Sequence, residues 1–226
     1  ILCRERSGKD LMKIRKNDIF LYGRKMLFQM LEILYPRRCA VCDEIEVTGK
    51  GICPLCKDKV HVAGEPACKK CGKPLVDERK EFCTDCGKKH HVYTQGKAVF
   101  VYEGGIRNSM YRFKYGNKRE YAEFYANAAV EKYGVWLNKI KAEVLIPIPM
   151  YSRKKRLRGY NQAETFARAL GGELGLPVDA GLVRRVRNTV PQKELNGGQR
   201  AANLKNAFQL AADIVKSVSY THLRAH

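Results

Sequence analysis

Apolar positions along the chain fall into short blocks separated by long polar stretches. Residues 26–34, MLFQMLEIL, are apolar at helical spacing until Pro36 stops them, which predicts a short helix too brief to span a bilayer. Little apolar sequence follows until Lys97–Tyr102, KAVFVY, which reads as a short strand. Gly104 and Gly105 then turn the chain into an amphipathic helix, with Ile106, Met110 and Phe113 on one side and Arg107, Arg112 and Lys114 on the other. A second helix is expected from Arg119 to about Lys141, carrying Tyr121, Phe124, Tyr125, Ala128, Val135 and Leu137. Aromatics at that spacing among basic residues are more often core than a stacking surface for bases.

Val144, Leu145, Ile146 and Ile148 form the next apolar run, and Pro147 and Pro149 hold their predecessors extended. The pattern is that of a buried strand ending abruptly. Arg153, Lys154, Lys155, Arg156 and Arg158 follow, then Gly159, where a backbone can approach another group closely. Asn161 is placed to cap a helix whose apolar stripe is Ala163, Phe166, Ala167 and Leu170, with Gly171 and Gly172 as its stop. A strand, a basic glycine loop and a helix amino terminus make an anion cradle at the carboxyl end of a sheet. The same run also suits a solvated cationic loop without a ligand. LGLPVDAGLVRRV supplies a turn and a further short strand.

Charge sharpens this picture. Among 226 residues, 43 lysines and arginines face 23 acids, a formal charge of +20, which favours phosphate-rich partners such as nucleic acid or a phosphorylated small molecule. No apolar run approaches a membrane span, and no apolar leader with a small-residue cleavage site is visible, so a cytoplasmic location is expected. Eight of nine cysteines form four C-x-x-C pairs: Cys39/Cys42, Cys53/Cys56, Cys68/Cys71 and Cys83/Cys86. That is the spacing of metal knuckles, and eight thiolates make two closed, structural zinc sites. The favoured grouping joins the first two pairs and the last two, with an interlaced grouping open. A redox dithiol and an iron–sulfur cluster are the rival readings. Gly72 and Gly87 suit turns that aim amides at sulfur, Cys3 falls outside the pattern, and His90 and His91 read as surface residues.

Two stretches, IPIPMYSRKKRLRGYNQAE and FVYEGGIRNSMYRFKYGNKREYAEFYA, resemble the ComF family, whose members look like type I phosphoribosyltransferases carrying an N-terminal zinc-ribbon region. The resemblance covers residues 26–216. It implies an α/β protein: an N-terminal extension and short helix (1–35), a double zinc ribbon (36–90) and an incomplete, Rossmann-like transferase domain (91–216). Pyrophosphate would be held by Arg153, Arg156, Arg158, Gly159, Asn161 and Gln162. Gln192, Arg200 and Asn203 would lie in a hood over the site, in a segment that also holds Thr189, Leu195 and Phe208. In the family a strand, an acidic pair and a Thr/Gly-rich loop for the 5-phosphate should follow, and the sequence offers none downstream. SVSYTHLRAH resembles translated adapter sequence, so a foreign tail is expected from Ser217. Ile1 in place of methionine leaves Met12, Met26 or Met30 as candidate starts. The resemblance implies a role in competence and DNA uptake, with single-stranded DNA, a primosomal helicase or a recombination mediator as partners. Two function classes stay open: a transferase using magnesium and phosphoribosyl pyrophosphate, inactive in this form, and a nucleic-acid-binding or partner-binding module built on the transferase scaffold.

Overall fold

The structure is a computed structural model that describes residues 30, 34–88, 91 and 93–211. The candidate starts Met12 and Met26, Cys3, His90 and the tail from Ser217 lie outside the described residues. Of the expected helix at 26–34, only Met30 and Leu34 are described, and both are exposed.

Residues 36–88 fold around cysteine knuckles, with a four-residue helix α1 (Pro54–Lys57) and a five-residue helix α2 (Thr84–Lys88) beside the second and fourth cysteine pairs. Isolated bridges Arg38↔Ile45 and Ala67↔Pro74 close the hairpins that carry the first and third pairs, so the segment is a structural repeat of two like units. In the linker that follows, the described residues form no regular element before Phe100. Only Phe100 of the strand expected at 97–102 forms a bridge, to Val62, because the ribbon offers a short partner edge.

Helix α3 (Gly104–Tyr115) and helix α4 (Tyr121–Lys139) form as the apolar spacing predicts. Ile106, Phe113, Tyr121, Ala122, Phe124 and Tyr125 meet Ala40 of the ribbon and Tyr160 in one buried cluster. The aromatics of α4 are therefore core, except that Val135 lies exposed. Inside the cluster the hydroxyls of Ser109 and Tyr125 share a 2.6 Å hydrogen bond, which satisfies two groups cut off from water. A second cluster joins Ala126 and Ala129 of α4 to Ala167 and Leu170 of helix α6 (Gln162–Leu174), small residues letting the helices approach.

The basic segment departs from expectation. It is not a loop but a helix, α5 (Ser152–Arg158), because SRKKRLR contains no proline, glycine or β-branched residue to oppose one. Gly159, at φ +82°, ends it by donating its N–H to the carbonyl of Lys155. Helix α6 in turn runs through Gly171 and Gly172 to a left-handed Gly175. Gly171 serves close packing and not termination: a β-carbon there would lie 2.7 Å from the carbonyl oxygen of Leu176 and 2.9 Å from Val178.

The strand expected at 144–148 is reduced to one parallel bridge, Leu145↔Val178, flanked by Leu145 N–H to Pro177 O (2.9 Å) and Asp179 N–H to Leu145 O (3.0 Å). Pro147 and Pro149 lack the donors that would extend it. Among the described residues the regular sheet is a two-stranded antiparallel pair, β1 (Val183–Arg185) with β2 (Phe208–Leu210), in register Arg184↔Gln209. Between them lie a 3-10 turn (Gln192–Glu194) and helix α7 (Gly197–Leu204), started by a capping box of Asn196 and Gln199.

Candidate metal centres and phosphate surface

Each C-x-x-C pair puts two sulfurs at one tight turn, and the ribbon brings the turns together in the favoured grouping, not an interlaced one. The sulfurs of Cys39, Cys42, Cys53 and Cys56 all lie within 4.8 Å of one another, as do those of Cys68, Cys71, Cys83 and Cys86. Cys42 and Cys53 are 3.7 Å apart, and Cys71 and Cys83 are 3.8 Å apart. Four thiolates at zinc's bond length occupy a tetrahedron with edges of about 3.8 Å, so both donor sets fit the ion. Such a shell is closed and structural, and its chemistry is to cross-link the knuckles.

The backbone readies these sulfurs for metal. Burial opposes ionisation of Cys39, but amide donors, among them Val41 (3.4 Å) and Cys53 (3.3 Å), outweigh it and hold the thiol at about 7. Burial likewise opposes ionisation at Cys68, where amide donors bring the thiol to about 6. Burial and neighbouring sulfurs push Cys56 up to about 12 without metal. Gly72 does take the left-handed turn expected of it, at φ +74°, whereas Gly87 lies within α2.

The residues expected to hold pyrophosphate are adjacent in space but unequal in freedom. Arg153 and Arg156 project exposed from α5 with no hydrogen bond or ion pair among the described residues. Arg158 donates to Gln162 Oε1 at 2.8 Å and lies over the ring of Tyr115, 4.7 Å from its centroid. Asn161 is buried and committed: its amide donates to Ile148 O (3.0 Å) and its oxygen accepts from Ala163 N–H (3.1 Å), capping α6. Gly159 is approached by the protein itself, since Arg119 donates to its carbonyl at 3.1 Å. Of the neighbouring lysines, Lys155 pairs with Glu164 (2.9 Å) and Lys154 donates to Thr189 O (2.8 Å).

The hood residues are likewise turned to the chain's own backbone. Arg200 donates from Nε to the carbonyls of Gln192 and Leu195, and Asn203 both donates to and accepts from the backbone of Val190. Gln192 is half-buried, and its amide nitrogen has no partner among the described residues.

Comparisons with known proteins bear on the first of these sites. The double zinc ribbon domain family matches residues 30–87. Competence protein F of Haemophilus influenzae is 42% identical over 69 residues, 30% of this chain and 30% of that protein. The DNA utilization protein YhgH of Salmonella typhi is 38% identical over 66 residues, 29% of each chain. Over this region the chain is similar to the zinc ribbon of these competence and DNA-utilization proteins. The matched region spans about 30% of the relatives' own length, and no solved structure matches the chain.

The surroundings of the basic helix are not visible in its own spacing. Arg119 stacks its guanidinium over Tyr160 at 5.0 Å while reaching Gly159, and Lys114 lies beside Arg158. Burial and the Arg158 guanidinium pull the Lys114 ammonium below its ordinary value. YGNKRE following the helix was the available signal, a basic turn after an aromatic end. No helix among the described residues is long and apolar enough to cross a membrane.

Proposed function

We propose that this ComF-family chain works in the handling of DNA, with its double zinc ribbon as scaffold and the cationic surface on α5 as phosphate-binding element. The observation that carries the reading is the pairing of that ribbon, shared with Competence protein F and DNA utilization protein YhgH, with exposed arginines that no carboxylate neutralises. Arg153 and Arg156 supply mobile charge, and Arg158, locked by Gln162 and Tyr115, supplies fixed charge. Fluorescence anisotropy with a labelled oligonucleotide tests this. Binding should weaken steeply as salt rises, because each neutralised phosphate releases counterions. Arg153→Ala with Arg156→Ala should reduce the salt slope by about two. Affinity indifferent to salt would exclude phosphate contacts.

A second reading is favoured by the parallel bridge at Leu145, which leads into α5 as a strand leads into a phosphate loop in α/β proteins. On it the domain descends from a type I phosphoribosyltransferase, in which magnesium would accompany phosphoribosyl pyrophosphate and the same arginines would face the leaving pyrophosphate. Calorimetry with phosphoribosyl pyrophosphate and magnesium separates the readings: pyrophosphate competing with DNA at α5 supports common ancestry of the site, and full-strength binding of the ribosyl compound favours the enzyme.

A further inference from the structure

Two tyrosines stand side by side on the surface of α3. Tyr121 donates to Asp43, Tyr125 bonds Ser109, and Tyr133 donates to Ala98 O, each hydroxyl spent on holding the fold. Tyr111 and Tyr115 hold nothing of that kind. They are 65% and 57% exposed, one turn apart on α3, with ring centroids 5.0 Å apart and planes tilted by 45°. Leaving two large rings in water has no benefit for folding.

Their surroundings carry one sign of charge. Helix α3 reads GGIRNSMYRFKY and helix α5 reads SRKKRLR, and neither contains an aspartate or glutamate. Arg158 bridges the two helices by lying over Tyr115. Arg107, Lys114, Arg153, Arg156 and Arg158 form no ion pair among the described residues, while the carboxylates nearby are spent elsewhere: Glu164 on Lys155 and Arg168, Glu103 on His61. The crowding of Lys114 against Arg158 without an intervening acid is a conformation that a bound anion would relieve.

We propose that Tyr111 and Tyr115 are a stacking platform for the bases of single-stranded nucleic acid, whose phosphates run along the cations of α3 and α5. The platform rests on the phosphate-binding reading above and adds to it a requirement for unpaired bases. Exposed aromatic faces beside a cationic track bind single strands because every base has a face to stack, whereas a duplex keeps its bases covered. Arg158 performs both tasks, orienting Tyr115 and presenting charge.

The full chain, loaded with zinc, is titrated with labelled oligothymidine and with a duplex of equal length at matched salt. The single strand should bind at least tenfold more tightly than the duplex. Tyr111→Ala with Tyr115→Ala should lower single-strand affinity tenfold or more while leaving the salt slope unchanged, and Tyr111→Phe with Tyr115→Phe should restore it. Both positions are exposed, so zinc content and the thermal transition should match the parent. Equal binding of single strand and duplex, or an alanine pair that binds as the parent does, overturns the platform while the phosphate surface stands. Absence of any DNA binding by the parent chain overturns both.

Discussion

Around Cys39 the ribbon is built into the body of the protein, whereas around Cys68 it holds on by the linker. In the first unit Ala40 lies in the aromatic cluster of α3 and α4, Arg112 donates to the carbonyl of Val41, and Asp43 takes both the Tyr121 hydroxyl (2.7 Å) and the Lys118 ammonium (2.8 Å). A β-carbon at Gly105 would meet Val41 at 2.6 Å, a measure of how closely helix and knuckle approach. The second unit is tied mainly to residues 93–98: Gln95 donates to Lys69 O (3.0 Å), Gly96 N–H to Lys70 O (2.7 Å), and Lys70 lies over Tyr93. None of its residues enters the buried clusters that α3, α4 and α6 form, among the described residues. Two donor sets of one chemistry thus differ in what their loss would release. A structural metal stabilises whatever folds with it, and only the first folds with the core.

The largest effect expected follows directly. Cys39→Ser and Cys68→Ser should each reduce bound zinc from two ions to one, but only the first should also abolish the cooperative unfolding of the helices followed by circular dichroism. Zinc in such modules contributes roughly 10 kcal/mol or more, comparable to the whole stability of a domain. Equal loss of helical cooperativity in both variants would break the comparison.

An intermediate effect is expected at Gly72, which takes a left-handed turn with the backbone of Lys97 and Ala98 within 3 Å of where a β-carbon would sit. Gly72→Ala should cost about 1–3 kcal/mol, read as weaker retention of one zinc against a chelator, with the helical transition little moved. The shift should be absent if the linker is not what carries the second unit.

The smallest effect concerns Asp43. Burial opposes its ionisation, but hydrogen bonds from Lys118 and Tyr121 prevail and hold the carboxyl below its ordinary 3.8. Its contribution is therefore complete above that value and is lost as pH falls through the lower folded one. Asp43→Asn should cost about 1 kcal/mol near neutrality, seen as a few degrees of melting temperature, and should remove that step in acid. A variant with parental stability would assign the docking of the first unit to Ala40 and Val41 alone.

Much of this was legible in the residues. C-x-x-C spacing announces four-thiolate sites because the ligand chemistry is local to each turn, and the stripe of Tyr121, Phe124 and Tyr125 announces a buried helix because its period is that of the helix itself. SRKKRLR was misread as a loop, since charge suggested exposure and said nothing of conformation. Gly171 was misread as a stop, because a glycine looks alike whether it frees a backbone or admits a neighbour.

The sequence by itself determined the eight zinc-donor cysteines, though not their grouping, the positions of α3, α4 and the start of α6, and the cationic surplus, all of which depend on residues close to one another in the chain. Tertiary structure alone decided that the first knuckle shares its core with α3 and α4 while the second does not, that Asn161 and Arg200 serve the fold, and that Arg158 meets Tyr115 and Lys114. The first and last of these depend on contacts between residues tens of positions apart, and Asn161 and Arg200 on how nearby backbone turns back toward them; burial and charge pairing are settled there by packing, and no local spacing records them.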